Sequence, residues 1–186
     1  MAKSKKSLDR ARIVKAAFAV LNEEGLDGLS LRMVAQRLDV QAPALYWHVK
    51  NKAEMASLMA ATFSVEAERA EAEQKGWRAR LLVFGRSLRH AMLRHRDAAR
   101  LCVGAHSLES PEAAAHRLAV PLIQAGLDAR TATSYRASVI AYTLGWVVYE
   151  QSQQMHEFLE QLIDFDKSFE AGLSAMVRGF EAPGRA

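Results

Sequence analysis

One cysteine, Cys102, is all that this chain of 186 residues carries. That scarcity excludes an intrachain disulfide framework and a cysteine-rich zinc site. A small buried side chain in a reducing compartment is the plain reading of Cys102, with redox sensing as the alternative. Long apolar runs are missing too. The richest stretch, residues 137–149, is shorter than a bilayer crossing requires and carries polar groups. The basic start leads into an amphipathic pattern rather than the apolar core of a secretion signal. A soluble, cytoplasmic protein with no membrane partner is therefore expected. Strand-like alternation is absent throughout, which leaves an all-α fold. The six histidines are scattered. They assemble neither a metal cluster nor a nucleophile with its base and orienting group, so the chain is read as no enzyme, with no catalytic residues, metal ligands or cofactor.

What is present is apolar mass and an uneven charge. Half the residues are hydrophobic, ample for a packed core built as a small N-terminal unit fused to a larger one. The formal charge is +4, and residues 1–56 hold 10 Lys or Arg against 6 Asp or Glu, whereas residues 57–186 hold 15 of each. All the positive excess thus lies in the N-terminal third, as a footprint on phosphates requires, although +4 also serves ordinary solubility. The segment MAKSKK at residues 1–6 reads as a basic arm, able to add phosphate or minor-groove contacts.

The chain is organised around residues 30–52, SLRMVAQRLDVQAPALYWHVKNK. Ser30 caps a helix reaching Leu38 whose apolar face is Leu31, Val34, Ala35 and Leu38. Asp39 sits at the turn and tolerates a left-handed backbone. Pro43 belongs in the first turn of the next helix, Ala42 to His48, where its missing N–H is not needed. Leu45 and Val49 anchor that short helix, while Gln41, Ala44, Tyr46, Trp47 and His48 face outward or flank a contact surface. Asn51 to Glu54 fits a capping box for a long helix from Lys52. Two short helices crossing at a tight turn are able to present the second to the major groove of DNA.

The flanking segments support this unit. Ser7 is expected to cap a first helix with Asp9 in its first turn; Ile13, Ala16, Ala17, Val20 and Leu21 form its buried stripe, Phe18 lies at the margin, and Gly25 stops it. From Lys52 to about Lys75 a helix with Met55, Leu58, Met59, Phe63 and Val65 turns acidic at Glu66, Glu68, Glu71 and Glu73, read as a solvated face. Such a helix would act as a lever between domains. Further helices are expected from Trp77, at 95–103, from Pro111 to about Gln124 with Pro121 kinking or ending it, from a cap at Asp128, and from 162 to 180. The apolar residues of the helix after Asp128 spread too widely for one stripe, so cover on several sides is expected. A connector at 151–160 precedes the last helix.

The runs LNEEGLDGLSLRMVAQRLDV and QAPALYWHVKNK resemble the tetracycline-repressor family of bacterial transcriptional regulators. Weaker similarity continues through Trp77, HRDAARL from His95 and TLGWVVYEQ from Thr143. The resemblance implies a three-helix helix-turn-helix domain at 1–53, and at 54–186 a larger helical domain that binds a small-molecule effector and forms a homodimer on double-stranded operator DNA. By matching position, Arg32 is implied as a major-groove or phosphate contact, Pro43 and Tyr46 as phosphate-positioning or packing contacts in the reading helix, Trp47 and His48 as residues holding its end, and Lys52 as a phosphate contact. Core packing remains the alternative for Trp47, and a structural hydrogen bond for His48.

The chain departs from the tetracycline-binding members where they carry a longer polar residue and a hydroxyl, here Ala42 and Ala44; methyl groups there suit thymine. It also has Phe84, Cys102, Ala105, His106 and Tyr149 where those members hold the drug and its magnesium. The effector implied is therefore more apolar or aromatic, with Phe84, Leu88, Cys102, His106, Trp146 and Tyr149 as candidate contacts. The expected function is a ligand-responsive repressor on an inverted repeat. The alternative is a constitutive DNA-binding dimer whose C-terminal domain only dimerises. The helices from Asp128 and from 162 are expected to form the intersubunit four-helix bundle.

Overall fold

The computed structural model describes residues 8–106 and 108–180. The basic arm and the cap expected at Ser7 lie outside them. Among the described residues every regular element is a helix, and none is long and apolar enough to cross a membrane. The chain divides into two compact units, the first running as far as Ala60 and including His95–Leu108, the second made of Ala61–Arg94 and the chain from Glu109 onward.

In the first unit α1 spans Arg10–Gly28. Asp9 is its cap rather than a first-turn residue: its carboxylate reaches the Arg12 N–H at 2.8 Å, satisfying one of the donors a helix start leaves open. The expected stripe of Ile13, Ala16, Ala17, Val20 and Leu21 is buried. Gly25 interrupts the helical backbone at φ 73°. A side chain there would be strained and would also meet Arg96 Cζ at 3.1 Å. The break frees the Leu26 N–H, which donates to Asp97 Oδ2 at 2.9 Å. Asn22 Oδ1 accepts from the Arg96 N–H, and Phe18 stacks on His95 with centroids 4.2 Å apart. The segment leading into α6 (Ala98–Gly104) is thereby fastened to the end of α1. Asp97 itself holds φ 56° ahead of α6, so that helix begins at Ala98 rather than at His95.

Helix α2 covers Leu31–Arg37, with Ser30 Oγ accepting from the Met33 N–H at 3.3 Å. Asp39 makes the turn at φ 54°. Helix α3, Ala42–Tyr46, is shorter than expected. The His48 and Val49 N–H groups both turn back to the Leu45 carbonyl at 2.9 Å, which closes the helix before it reaches His48. Leu45 and Val49 are its fully buried anchors.

Helix α4 spans Lys52–Glu71. Asn51 Oδ1 accepts from the Glu54 N–H at 2.8 Å, and the Glu54 carboxylate returns to the Lys50 N–H at 2.7 Å, one residue upstream of the usual reciprocal bond. The buried line is Met55, Met59, Phe63 and Ala67, four residues apart, whereas Val65 points outward.

The second unit contains the end of α4 with α5 (Trp77–Leu93), α7 (Pro111–Ile123), α8 (Ala129–Gln151), α9 (Gln153–Leu159) and α10 (Phe165–Gly179). Ser110, Asp128 and Asp164 cap α7, α8 and α10 through their side chains. Pro121 is accommodated two residues before the end of α7. The connector expected near 151–160 is the short helix α9. Helix α8 is the axis on which α5, α7 and α10 pack. Two glycines permit close approach: a Cβ at Gly172 would collide with the Tyr142 hydroxyl, and one at Gly85 would lie 3.0 Å from Leu173 and 3.1 Å from Val139.

Within this chain the buried stripe of α8 is Ala132, Arg136, Val139, Thr143 and Val147, and two of its members are polar. The acidic run is a solvated face only in part, with Glu73 exposed and Glu66 half-exposed. Glu71 is fully buried against Arg136, Glu68 pairs with Arg117, and Glu66 pairs with Arg94 at 2.6 Å.

Candidate nucleic-acid interface and effector site

Burial of Leu45 and Val49 decides what the first unit presents. A five-residue helix anchored on one side must turn its other residues to the surface. Gln41, Pro43, Tyr46 and Trp47 are exposed, as are Arg32 on α2 and Lys52 at the start of α4, and Ala42, Ala44 and His48 are half-buried. Trp47 is 88% exposed, so it is not core, and Tyr46 beside it is 56% exposed. Beside a short helix, Trp47 buries almost none of its ring and Tyr46 less than half in the isolated chain. They are available to a partner surface.

Local bonds brace this face from behind. Arg10 Nε donates to the His48 carbonyl at 3.0 Å, which holds the turn after α3 to the start of α1. Lys52 Nζ donates to the Leu26 carbonyl at 3.1 Å. Its ammonium therefore sits at the α1 break, a placement the capping pattern did not reveal. Arg32 and Gln41 are exposed on α2 and at the cap of α3, and the guanidinium and amide are the groups that fork onto base edges or phosphates.

The candidate effector residues divide between the two units. Cys102 and His106 belong to the first, on and just after α6. His106 is exposed and Cys102 half-buried, and burial pushes the Cys102 thiol up to about 12, far from a reactive thiolate. The other four belong to the second. Phe84 and Leu88, one turn apart on α5, are buried. Trp146 joins an aromatic group with Tyr142, Phe165 and Phe169, at centroid distances of 6.1, 6.1 and 6.2 Å. Tyr149 is 47% exposed.

The sequence reading missed the polar centre of this unit. Arg136 sits over Phe84, its Cζ 4.0 Å from the ring centroid. Its Nη2 donates to Glu71 Oε1 at 2.6 Å and its Nε to the Leu118 carbonyl at 3.3 Å. Both side chains are 1% exposed. Burial raises the Glu71 carboxyl above the ordinary carboxylate range, opposed by its bond to Arg136. Arg136 Nη1, Glu71 Oε2 and the Thr143 hydroxyl are buried without hydrogen-bond partners. The signal was legible in spacing, since Ala132, Arg136, Val139, Thr143 and Val147 recur at three and four residues. Among the described residues no group of three or more His, Cys, Asp or Glu comes together to hold a metal ion.

Comparison with known proteins matches this arrangement in both units. Residues 13–59 match the family "Bacterial regulatory proteins, tetR family", and residues 70–162 match "Tetracyclin repressor-like, C-terminal domain". The tetracycline repressor protein class A from transposon 1721 of Escherichia coli is 32% identical, aligned over 90% of this chain and 88% of its own. The solved TetR of Acinetobacter baumannii AYE is 31% identical, with a TM-score of 0.75 over 94% of this chain and 97% of that one. ActR of Streptomyces coelicolor, solved in complex with (S)-DNPA, is 28% identical, with a TM-score of 0.74 over 94% of this chain and 98% of that one. With a short, outward-facing second helix of a helix-turn-helix in one unit, an aromatic-lined helical core in the other, and relatives aligned along nine-tenths of its length, the chain belongs to the tetracycline-repressor family of ligand-responsive transcriptional regulators.

Proposed function

We propose that the chain is a homodimeric repressor that binds an inverted-repeat operator and is released by a small, largely apolar or aromatic effector. The observation that carries the DNA half is the surface of α3, where Tyr46 and Trp47 stand exposed, as do Gln41 at its cap, Arg32 on α2 and Lys52 on α4. In this reading residues 1–53 read DNA and residues 54–186 bind effector and partner. Arg32 and Lys52 bind phosphates or a base edge, Pro43, Tyr46, Trp47 and His48 set the angle of α3 against the backbone, and Gln41 with the methyl groups of Ala42 and Ala44 meets the bases. Five helical residues read few base pairs, so two copies on a two-fold site supply the missing specificity.

Support for the dimer comes from the outer faces of α8 and α10. Ala137, Ala141 and Gly145 are exposed on α8, and Ala171, Ala175 and Gly179 on α10, each spaced by four residues. Small residues in such rows let a second pair of helices approach closely, giving a four-helix bundle across a two-fold axis. Phe84 and Leu88, with Trp146 and Tyr149, supply the apolar and aromatic character expected of the effector. Effector binding favours a conformation in which the two reading helices no longer match their half-sites, and α4, beginning at Lys52 and ending at Glu71, is the lever.

Selection of duplexes from a random library at defined salt tests the reading. Enrichment of an inverted repeat with two equivalent half-sites supports it, and no enrichment over non-specific DNA by folded protein overturns it. Transcription from the selected promoter should fall when the protein is added, and a rise reverses the sign of regulation. Tight, selective calorimetric binding of a magnesium-tetracycline complex would rule out the apolar effector.

A further inference from the structure

The Arg136–Glu71 pair is only half closed. A buried guanidinium and carboxylate can satisfy each other through two parallel bonds, but here only Nη2 and Oε1 meet, at 2.6 Å. Arg136 Nη1 and Glu71 Oε2, the outer atoms of the same pair, are each buried with no partner. Each is bonded to the same carbon as its paired neighbour, so both open atoms belong to the one ion pair. One is a donor and the other an acceptor. The pair is also rigidly mounted: Phe84 supports the guanidinium face at 4.0 Å and the Leu118 carbonyl holds Nε.

Charge narrows what these atoms can take. The groups around the pair are Arg80, Arg117 and Arg136 against Glu68, Glu71 and Glu109, so the cluster is already balanced. An added carboxylate would be a buried anion with no cation of its own, whereas a neutral group brings no such penalty.

Resting on the effector reading above, we propose that Arg136 and Glu71 are the polar end of the effector site and select a neutral ligand bearing a carbonyl and a hydroxyl close together. The carbonyl accepts from Arg136 Nη1, and the hydroxyl donates to Glu71 Oε2. Phe84, behind the guanidinium, fixes the plane in which the carbonyl is received. A ligand lacking either group leaves one of these atoms unpaired and is rejected for that reason.

The test uses the full-length chain and three probes of similar size: 3-hydroxyacetophenone, acetophenone and 3-hydroxybenzoate. Titration is followed through the side-chain N–H resonances of Arg136. The hydroxyketone is expected to shift them and to bind roughly tenfold more tightly than either other probe. The double variant Arg136→Met/Glu71→Met, checked for folding by circular dichroism, is expected to lose that preference. Tighter binding of 3-hydroxybenzoate, equal binding of all three, no shift of Arg136 at millimolar probe, or an unchanged preference in the folded double variant overturns the proposal. If the double variant does not fold, the wild-type resonances and the three affinities decide the matter. Operator selection is a separate readout: a chain that selects no DNA yet discriminates the probes refutes the regulator reading and leaves this site standing.

Discussion

The two units of the molecule place their unusual residues on opposite sides of their surfaces. Around the reading helices the core is apolar, from Ile13 and Leu21 to Leu45 and Val49, and the large aromatics Tyr46 and Trp47 stand outside it. In the second unit Phe84 and Phe169 are fully buried, and a charged pair, Arg136 with Glu71, is buried with them. A surface that meets a polyanion needs exposed shape and cations over an inert scaffold. A site that encloses a small molecule must hold its polar groups inside, where their geometry is fixed and water does not compete. The contrast therefore separates two sorts of vulnerability: the first unit is sensitive in its scaffold, the second in its polar centre.

Breaking the buried pair should have the largest effect. Arg136→Met leaves the Glu71 carboxylate buried and uncompensated, and is expected to destabilise the protein by about 3–5 kcal/mol in denaturant titration, with Glu71→Met added in the same chain recovering most of the loss. If the single variant is as stable as wild type, the second unit does not depend on its polar centre. Next comes the apolar scaffold. Leu45→Ala empties the only fully buried position of α3, with an expected loss of about 2–5 kcal/mol and of operator binding in a gel-shift assay. Ser30→Ala removes the bond to the Met33 N–H and should cost about 1 kcal/mol by the same denaturation measurement. The smallest effect on stability is the most telling. Trp47→Ala should change unfolding by no more than about 0.5 kcal/mol while weakening operator binding measured by fluorescence anisotropy. A large loss of stability would mean that the ring is scaffold, and the contrast between the units would fall.

Much of the first unit could be read without coordinates. The caps at Ser30 and Asn51, the left-handed turn at Asp39 and the anchors Leu45 and Val49 arise from local chemistry, within a few residues of where they act. The same local reasoning erred where two atoms compete for one role: Asp9 took the cap expected of Ser7, and the turn back to Leu45 ended α3 early. The second unit was less legible. Glu71 looked like one of four solvated acids until Arg136, 65 residues away, was found against it. The effector candidates, named by position along the chain, fell in both units.

Composition and short-range pattern were thus enough for an all-helical chain and a helix-turn-helix built on Leu45, while the family was legible through the resemblance of residues 21–52. Those properties depend on helical period and on caps that reach three or four residues, which a linear chain displays directly. Which charges are buried, which face of α8 lies inward, and which atoms of Arg136 and Glu71 remain open had to await the packed helices. A charge reveals its partner only when folding brings together segments far apart along the chain, and its burial depends on the helices that close over it.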